Sequence, residues 1–474
     1  MNHQRGDACS QASAGLQAWR PSFANQQGIF EFVMGVGPQK LVKHGGALFR
    51  TQALRRVSFL LALAYPVFLQ AQSLDRLMAE SLVSHPQMQA QSALVASSMA
   101  GVESARWQFY PTPSVSVESA ASTASNGADQ GDRTVAAFRL QQPLWTGGRL
   151  RASLDKAQAG YAVSLATRAE VQQQLALRVV QAYGDWLGAH QKRQTYVQSQ
   201  AVHQRLSDQV RRRIDQGVSA ESDSTLAQAR LGALAADIEL ASVQINTALA
   251  RLAQLLGRPV NENDLLALDS RPPFLNLAPE GLGALTEGSL RSSPSVQKSQ
   301  AFTKVQEAAL AERRAEMSPE LYLRAEQLSG NSINSAASNR RNIYIGLSSK
   351  FGAGLSALSN AQTALSQYEA ALADVDIQSR LIIEQVNADF ALAVSVQSRL
   401  NFLQASLKAA QLVSESYDRQ FLAGRKTWLD VMNAARELTQ TEVQLADIES
   451  AQLVVNWRLA IYAKGLDSVL GAAR

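Results

Sequence analysis

The sequence predicts a mainly α fold with a small membrane β component, built from one helix, β-hairpin and long helical-hairpin unit repeated once. Three observations predict it. The second half repeats the first at a spacing of about two hundred residues. Proline is absent between Pro143 and Pro259 and again after Pro319, across stretches rich in Ala, Leu, Gln, Glu and Arg. Twice, at matching places, the hydrophobic period changes from 3.6 to 2.

The repeat is read from ordered landmarks. Ser81 to Gln89 aligns without a gap on Ser289 to Gln297, and the same offset carries Pro111 onto Pro319 and Glu118 onto Glu326. After a slip in a loop, Gln181, Asp185 and Trp186 fall on Gln385, Asp389 and Phe390. A second slip puts Gly217 on Gly424, Asp223 on Asp430, and Arg251 on Arg458.

At the N-terminus, Arg55-Arg56 precedes a short apolar run, Val57 to Leu69, and a cleavage site after Ala71. This reads as a secretory signal peptide, with Met34 or a later codon as an alternative start. The net charge of +5 lies in this leader, leaving a formally neutral remainder and removing the case for nucleic-acid binding. The single cysteine, Cys9, also lies there. The remainder therefore offers no disulfide, thiolate or lipid-accepting cysteine. No stretch approaches twenty uninterrupted apolar residues, so no transmembrane helix is expected.

Each repeat holds a rod-like helix of roughly 65 residues, on the order of 100 Å long, closed by a glycine turn at Gly217 or Gly424. A shorter helix returns, and the helix that opens the repeat is expected to supply the missing length by stacking on its end. Between opening helix and rod, Val115 and Val117 alternate with Ser114, Ser116 and Glu118, as Leu321, Leu323 and Ala325 do with Tyr322, Arg324 and Glu326. Phe138 and Leu140 match Ile345 and Leu347. Asn126-Gly127 and Gly330-Asn331-Ser332 mark the hairpin turns. Strands of about ten to twelve residues cross a bilayer when tilted. Four strands cannot close a membrane barrel, so the barrel must be shared between chains.

The expected division is an N-terminal extension and signal peptide over 1–71, then a first repeat over 72–257 (helix 74–109, strands 112–123 and 133–145, helices 148–216 and 219–256). A bridge over 258–282 follows. The second repeat spans 283–465 (helix 283–317, strands 319–330 and 340–352, helices 355–423 and 427–464), with a tail over 466–474. Pro111, Pro143, Gly147, Gly148, Pro319, Gly352 and Gly354 mark the joints between helices and strands.

This order, with Phe138-Arg139-Leu140-Gln141-Gln142-Pro143-Leu144-Trp145-Thr146-Gly147-Gly148-Arg149 leading into the first rod, resembles the TolC family of outer-membrane efflux proteins. The resemblance covers about 73–465. It implies a homotrimer with a twelve-stranded barrel in outer-membrane lipid, a periplasmic α-helical barrel, and a belt formed by the bridge and C-terminal residues. It also implies a passive conduit working with a periplasmic adaptor (membrane fusion) protein and an inner-membrane transporter, ABC-type or proton-driven. The missing lipid-accepting cysteine favours type I protein secretion, with multidrug efflux as the alternative. A soluble periplasmic adaptor is a second alternative.

By the same resemblance, the glycine turns form the periplasmic tip. The family carries two acids on one face of the helix after the second turn, forming rings around the aperture. Asp430 matches the first, and Asn433 stands in place of the second. Phe421 and Lys426 occupy positions that hold the tip shut in the family. Asp223 is the expected partner of Lys426, and Phe421 lacks the hydroxyl one link requires. Asp223 is also read as an acid stabilising a helix N-terminus.

No enzyme, metal or cofactor is expected. His85, His190 and His203 are scattered, the glycine pairs do not extend into a phosphate loop, and no nucleophile–base constellation is present.

Overall fold

The computed structural model describes residues 73–119, 134–330, 340–350 and 352–471. The leader, the Asn126-Gly127 turn and Asn331-Ser332 lie outside the described residues.

Each repeat opens with two helices, not one. α1 (Leu74–Ser84) and α2 (Pro86–Trp107) are separated at His85, and α6 (Gly281–Ser292) and α7 (Pro294–Ala315) at Ser293. The continuous helices expected over 74–109 and 283–317 are therefore corrected to broken ones. A residue before proline is pushed out of the α region, and the proline is favoured at the first position of the next helix. His85 and Ser293 take extended backbone and cap the new helix, their side chains accepting from the amides of Gln87 and Val296.

The rods are α3 (Arg149–Asp215) and α8 (Ser356–Leu422), each of 67 residues. The return helices are α4 (Glu221–Leu256) and α9 (Trp428–Lys464). The end of α4 meets the α1–α2 break, where Arg258 donates to Glu80 (3.0 Å) and Gln254 contacts His85 (3.3 Å). The end of α9 meets the α6–α7 break, where Ser292 Oγ donates to the Tyr462 carbonyl at 2.6 Å. The stack that matches each rod is thus made by the return helix and the second half of the broken opening helix. The bridge contains α5 (Glu262–Leu266), and α10 (Leu466–Gly471) follows α9.

The main core gathers Trp186, Leu175 and Val179 of α3, Leu252 and Leu256 of α4, Trp457 and Ile461 of α9, and Leu74 and Met78 of α1. The Trp457 indole also donates to the Ser270 carbonyl (2.8 Å), fastening the bridge to α9. Packing of α3 on α9 is unusually close. A Cβ on Gly184 would collide with Val454, and one on Gly188 with Ser450, so the Gly-x-x-x-Gly spacing admits the facing helix.

Strands β1 (Thr112–Ser119), β2 (Thr134–Trp145), β3 (Glu320–Ser329) and β4 (Arg340–Ser348) form one antiparallel sheet in the order β1-β2-β3-β4. β4 stops at Ser348, short of the expected 352. The central β2–β3 ladder joins the two repeats, with a register shift at Pro143. β1 and β4 are its edges.

Candidate functional site

Two regions are candidates for function: the sheet surface and the pair of glycine turns. On the sheet, register places Val115 opposite Phe138, Leu140 opposite Ala325 and Ala325 opposite Ile343, and Leu323 opposite Ile345, all on one face. That face is apolar and bare: Val115 is 73% exposed and Ile345 74%. An apolar surface of this extent needs a non-aqueous neighbour. The opposite face is polar. Arg139 donates to Glu326 (2.7 Å) and to Ser116 (3.0 Å), while Arg324 packs between the rings of Tyr322 and Tyr344. Apolar-out and polar-in alternation is the pattern of a transmembrane barrel wall.

At the helix-proximal end of the sheet, Trp107, Tyr110 and Trp145 are exposed, with Trp107 and Tyr110 in ring contact at 5.2 Å. Aromatics at this level mark a membrane–water boundary. Sequence reasoning missed this band, although its signal was present in aromatics flanking Pro111 and Pro143. Pro111 and Pro319 stand immediately before β1 and β3, and Pro143 sits at the irregularity in β2. Gly147 and Gly148 both take positive φ at the start of α3, and a Cβ on Gly147 would strike Ser318. Gly352 precedes, and Gly354 lies inside, a short 3-10 turn (Ala353–Leu355) before α8, both at positive φ.

The two tip turns are built alike. Val218 N donates to the Arg213 carbonyl (2.8 Å) and Gly217 N to that of Ile214 (2.8 Å). Arg425 N donates to the Gln420 carbonyl (2.8 Å) and Gly424 N to that of Phe421 (3.0 Å). This is the Schellman arrangement, which places a glycine at positive φ. Behind the turns, Leu206, Val210, Ala227, Phe421, Trp428, Val431 and Met432 form a second core. Phe421 is buried in it with the Arg213 guanidinium over its ring at 4.7 Å, so it serves as packing.

The expected Asp223–Lys426 pair is not formed. Lys426 Nζ lies 4.2 Å from the Tyr417 ring centroid, a cation–π contact. Asp223 lies in the first turn of α4, where an acid favours the helix N-terminus, and Asp430 holds the equivalent place in α9. Asp430 closes a capping box: its carboxylate accepts from Thr427 N (3.1 Å) and Thr427 Oγ1 (2.8 Å), while Asp430 N donates to Thr427 Oγ1 (3.2 Å). The Thr427 side-chain hydrogen bond, then its backbone one, hold the Asp430 carboxyl below its ordinary pKa, and Lys426 adds to this. The group stays ionised at neutral pH. Asn433 is exposed and accepts from Arg230 at 3.2 Å.

His85 caps α2, as described. His190 stacks on Trp186 and meets Glu262 of α5 (3.2 Å), tying the bridge to the rod. His203 is buried against Ser199, and its burial holds the imidazole below its ordinary pKa. Among the described residues no group of His, Cys, Asp and Glu is placed to hold a metal ion, and no helix is long and apolar enough to cross a membrane.

A channel protein whose sheet meets lipid and whose helical hairpins extend from it is the class this architecture defines. Residues 77–258 match the family model of the outer membrane efflux protein. The chain is 25% identical over 345 residues to the alkaline protease secretion protein AprF of Pseudomonas aeruginosa, covering 71% of this chain and 70% of that one. It is 25% identical over 303 residues to the outer membrane protein TolC of Vibrio cholerae, covering 62% and 68%. Among solved structures, the outer-membrane channel OprN superposes with a TM-score of 0.70 at 21% identity, covering 83% of this chain and 90% of that one. VceC from Vibrio cholerae gives 0.70 at 15% identity, covering 83% and 96%. The chain resembles the TolC-like outer-membrane efflux channels in sequence and shares their fold, which is that of channels in the outer membrane extending into the periplasm. The soluble-adaptor alternative is thereby set aside.

Proposed function

We propose that the protein is a passive homotrimeric conduit for type I protein secretion. A four-stranded sheet with a bare apolar face and two unpaired edges carries the reading. Open edges are not tolerated in lipid, and three copies pairing β4 of one chain with β1 of the next give a closed ring of twelve strands. The chain's own groups supply no driving energy. That role falls to an inner-membrane ABC transporter, reached through a periplasmic adaptor that meets the glycine-turn tip. Similarity to AprF, whose name is that of a protease secretion protein, favours exported protein as cargo.

In this reading, three Asp430 carboxylates surround the periplasmic aperture, with Asn433 a turn behind them. Like charges converging in a narrow mouth attract cations. Deletion followed by secretome and drug-sensitivity assays tests the cargo. Loss of one large secreted protein with unchanged sensitivities is expected. Intact secretion with drug hypersensitivity would assign the protein to multidrug efflux instead.

A further inference from the structure

A cleft of about 270 Å³ opens where α3, α4 and α9 meet behind the tip. Its tip-proximal end is lined by Arg230 of α4, Arg436 of α9 and the buried His203 of α3, and its far end by Tyr196, Asp237 and Val443.

The two arginines lack a counter-ion. Among the described residues, neither has a carboxylate within salt-bridge distance, Asp237 included. Arg230 gives one donor to Asn433, while its Nε is buried without a hydrogen-bond partner. A buried donor without a partner costs free energy that an acceptor would recover. Half-buried Arg230 and exposed Arg436 line the same cleft, so their like charges face one opening, and burial, with the charge of Arg436 behind it, holds the Arg230 pKa below its ordinary value. Two like charges beside an open cleft define a site for the opposite charge, and guanidinium forks match carboxylate and phosphate oxygens.

We propose that this cleft binds an anionic group, a phosphate or a carboxylate, that bridges Arg230 and Arg436 and ties the hairpin of the first repeat to that of the second. The occupant replaces the repulsion with two charge-assisted contacts. The site stands whichever cargo the conduit carries.

Thermal unfolding of the detergent-solubilised full-length protein tests this, with sodium phosphate or sodium succinate titrated at an ionic strength held constant with sodium chloride. A ligand of the folded state raises Tm saturably. The expected result is a saturable rise of a few degrees in the wild type, lost in Arg436→Gln and in Arg230→Gln. Without the added anion, Arg436→Gln is expected to melt no lower than the wild type, because a repulsion has been removed. Arg211→Gln, a basic residue outside the cleft, keeps the rise. A response to phosphate alone identifies a phosphate-bearing occupant, and one to succinate alone a carboxylate. Flat titrations with both anions, or a rise retained in both cleft variants, overturn the proposal.

Discussion

Thr427 and Asp430 show how one carboxylate takes two tasks. Asp430 completes the cap of α9 and, in the proposed trimer, brings charge to the aperture. Replacing it by Ala removes both, so the two are separated with Thr427→Ala. That variant is expected to lose about 1 kcal/mol through the cap and to keep divalent-cation inhibition of single-channel conductance. Asp430→Ala is expected to lose the inhibition. If Thr427→Ala loses it equally, tip order and not charge governs the block. The capping role was legible in the sequence, since the repeat partner of Thr427 is Ala220, which has no side-chain acceptor. The Lys426–Tyr417 contact crosses a turn, so spacing along one helix could not reveal it.

At the level of elements, the aligned Gln, Asp and Arg landmarks of the two repeats prove to be one device used twice. Gln181 donates to Asp185 (2.8 Å) and Arg251 of α4 reaches the same acid (3.0 Å). Gln385 donates to Asp389 (3.1 Å), with Arg458 of α9 at 2.7 Å. Each set clamps a rod to its return helix, but the Asp389 side chain is 3% exposed and that of Asp185 35%. Asp389→Asn leaves Arg458 facing a buried site without its counter-charge and is expected to cost about 3 kcal/mol. Asp185→Asn is expected to cost under about 1 kcal/mol. Chemical unfolding of the two variants measures the difference, and equal losses would refute the burial argument. The rods and turns were readable because proline and glycine punctuate them. The breaks at His85 and Ser293 were not read from the helical period, although each has a local signal in the proline that opens the next helix, Pro86 or Pro294. Gly184 and Gly188 looked like composition until the facing α9 gave them a purpose.

For the whole molecule, the sheet faces dictate which substitutions the membrane tolerates. Ile345→Lys, in the middle of the apolar face, is expected to cost about 2–4 kcal/mol of membrane stability and to lower the amount recovered in outer-membrane fractions. Asn342→Lys, on the polar face opposite Glu326, is expected to leave it unchanged. Equal recovery of the two would place the sheet outside lipid. The alternation behind this contrast was visible in the sequence, whereas the strand order that joins the repeats came from the structure. That order has a geometric outcome. The seam inside the chain, β2 to β3, joins a first-repeat strand to a second-repeat strand, and β4 to β1 of the next copy would do the same in reverse. In the proposed trimer, three chains would close as six near-equivalent hairpins, a pseudo-sixfold ring whose true symmetry is threefold. A partner approaching that proposed ring would meet two alternating kinds of site, distinguished by substitutions such as Ala220 against Thr427.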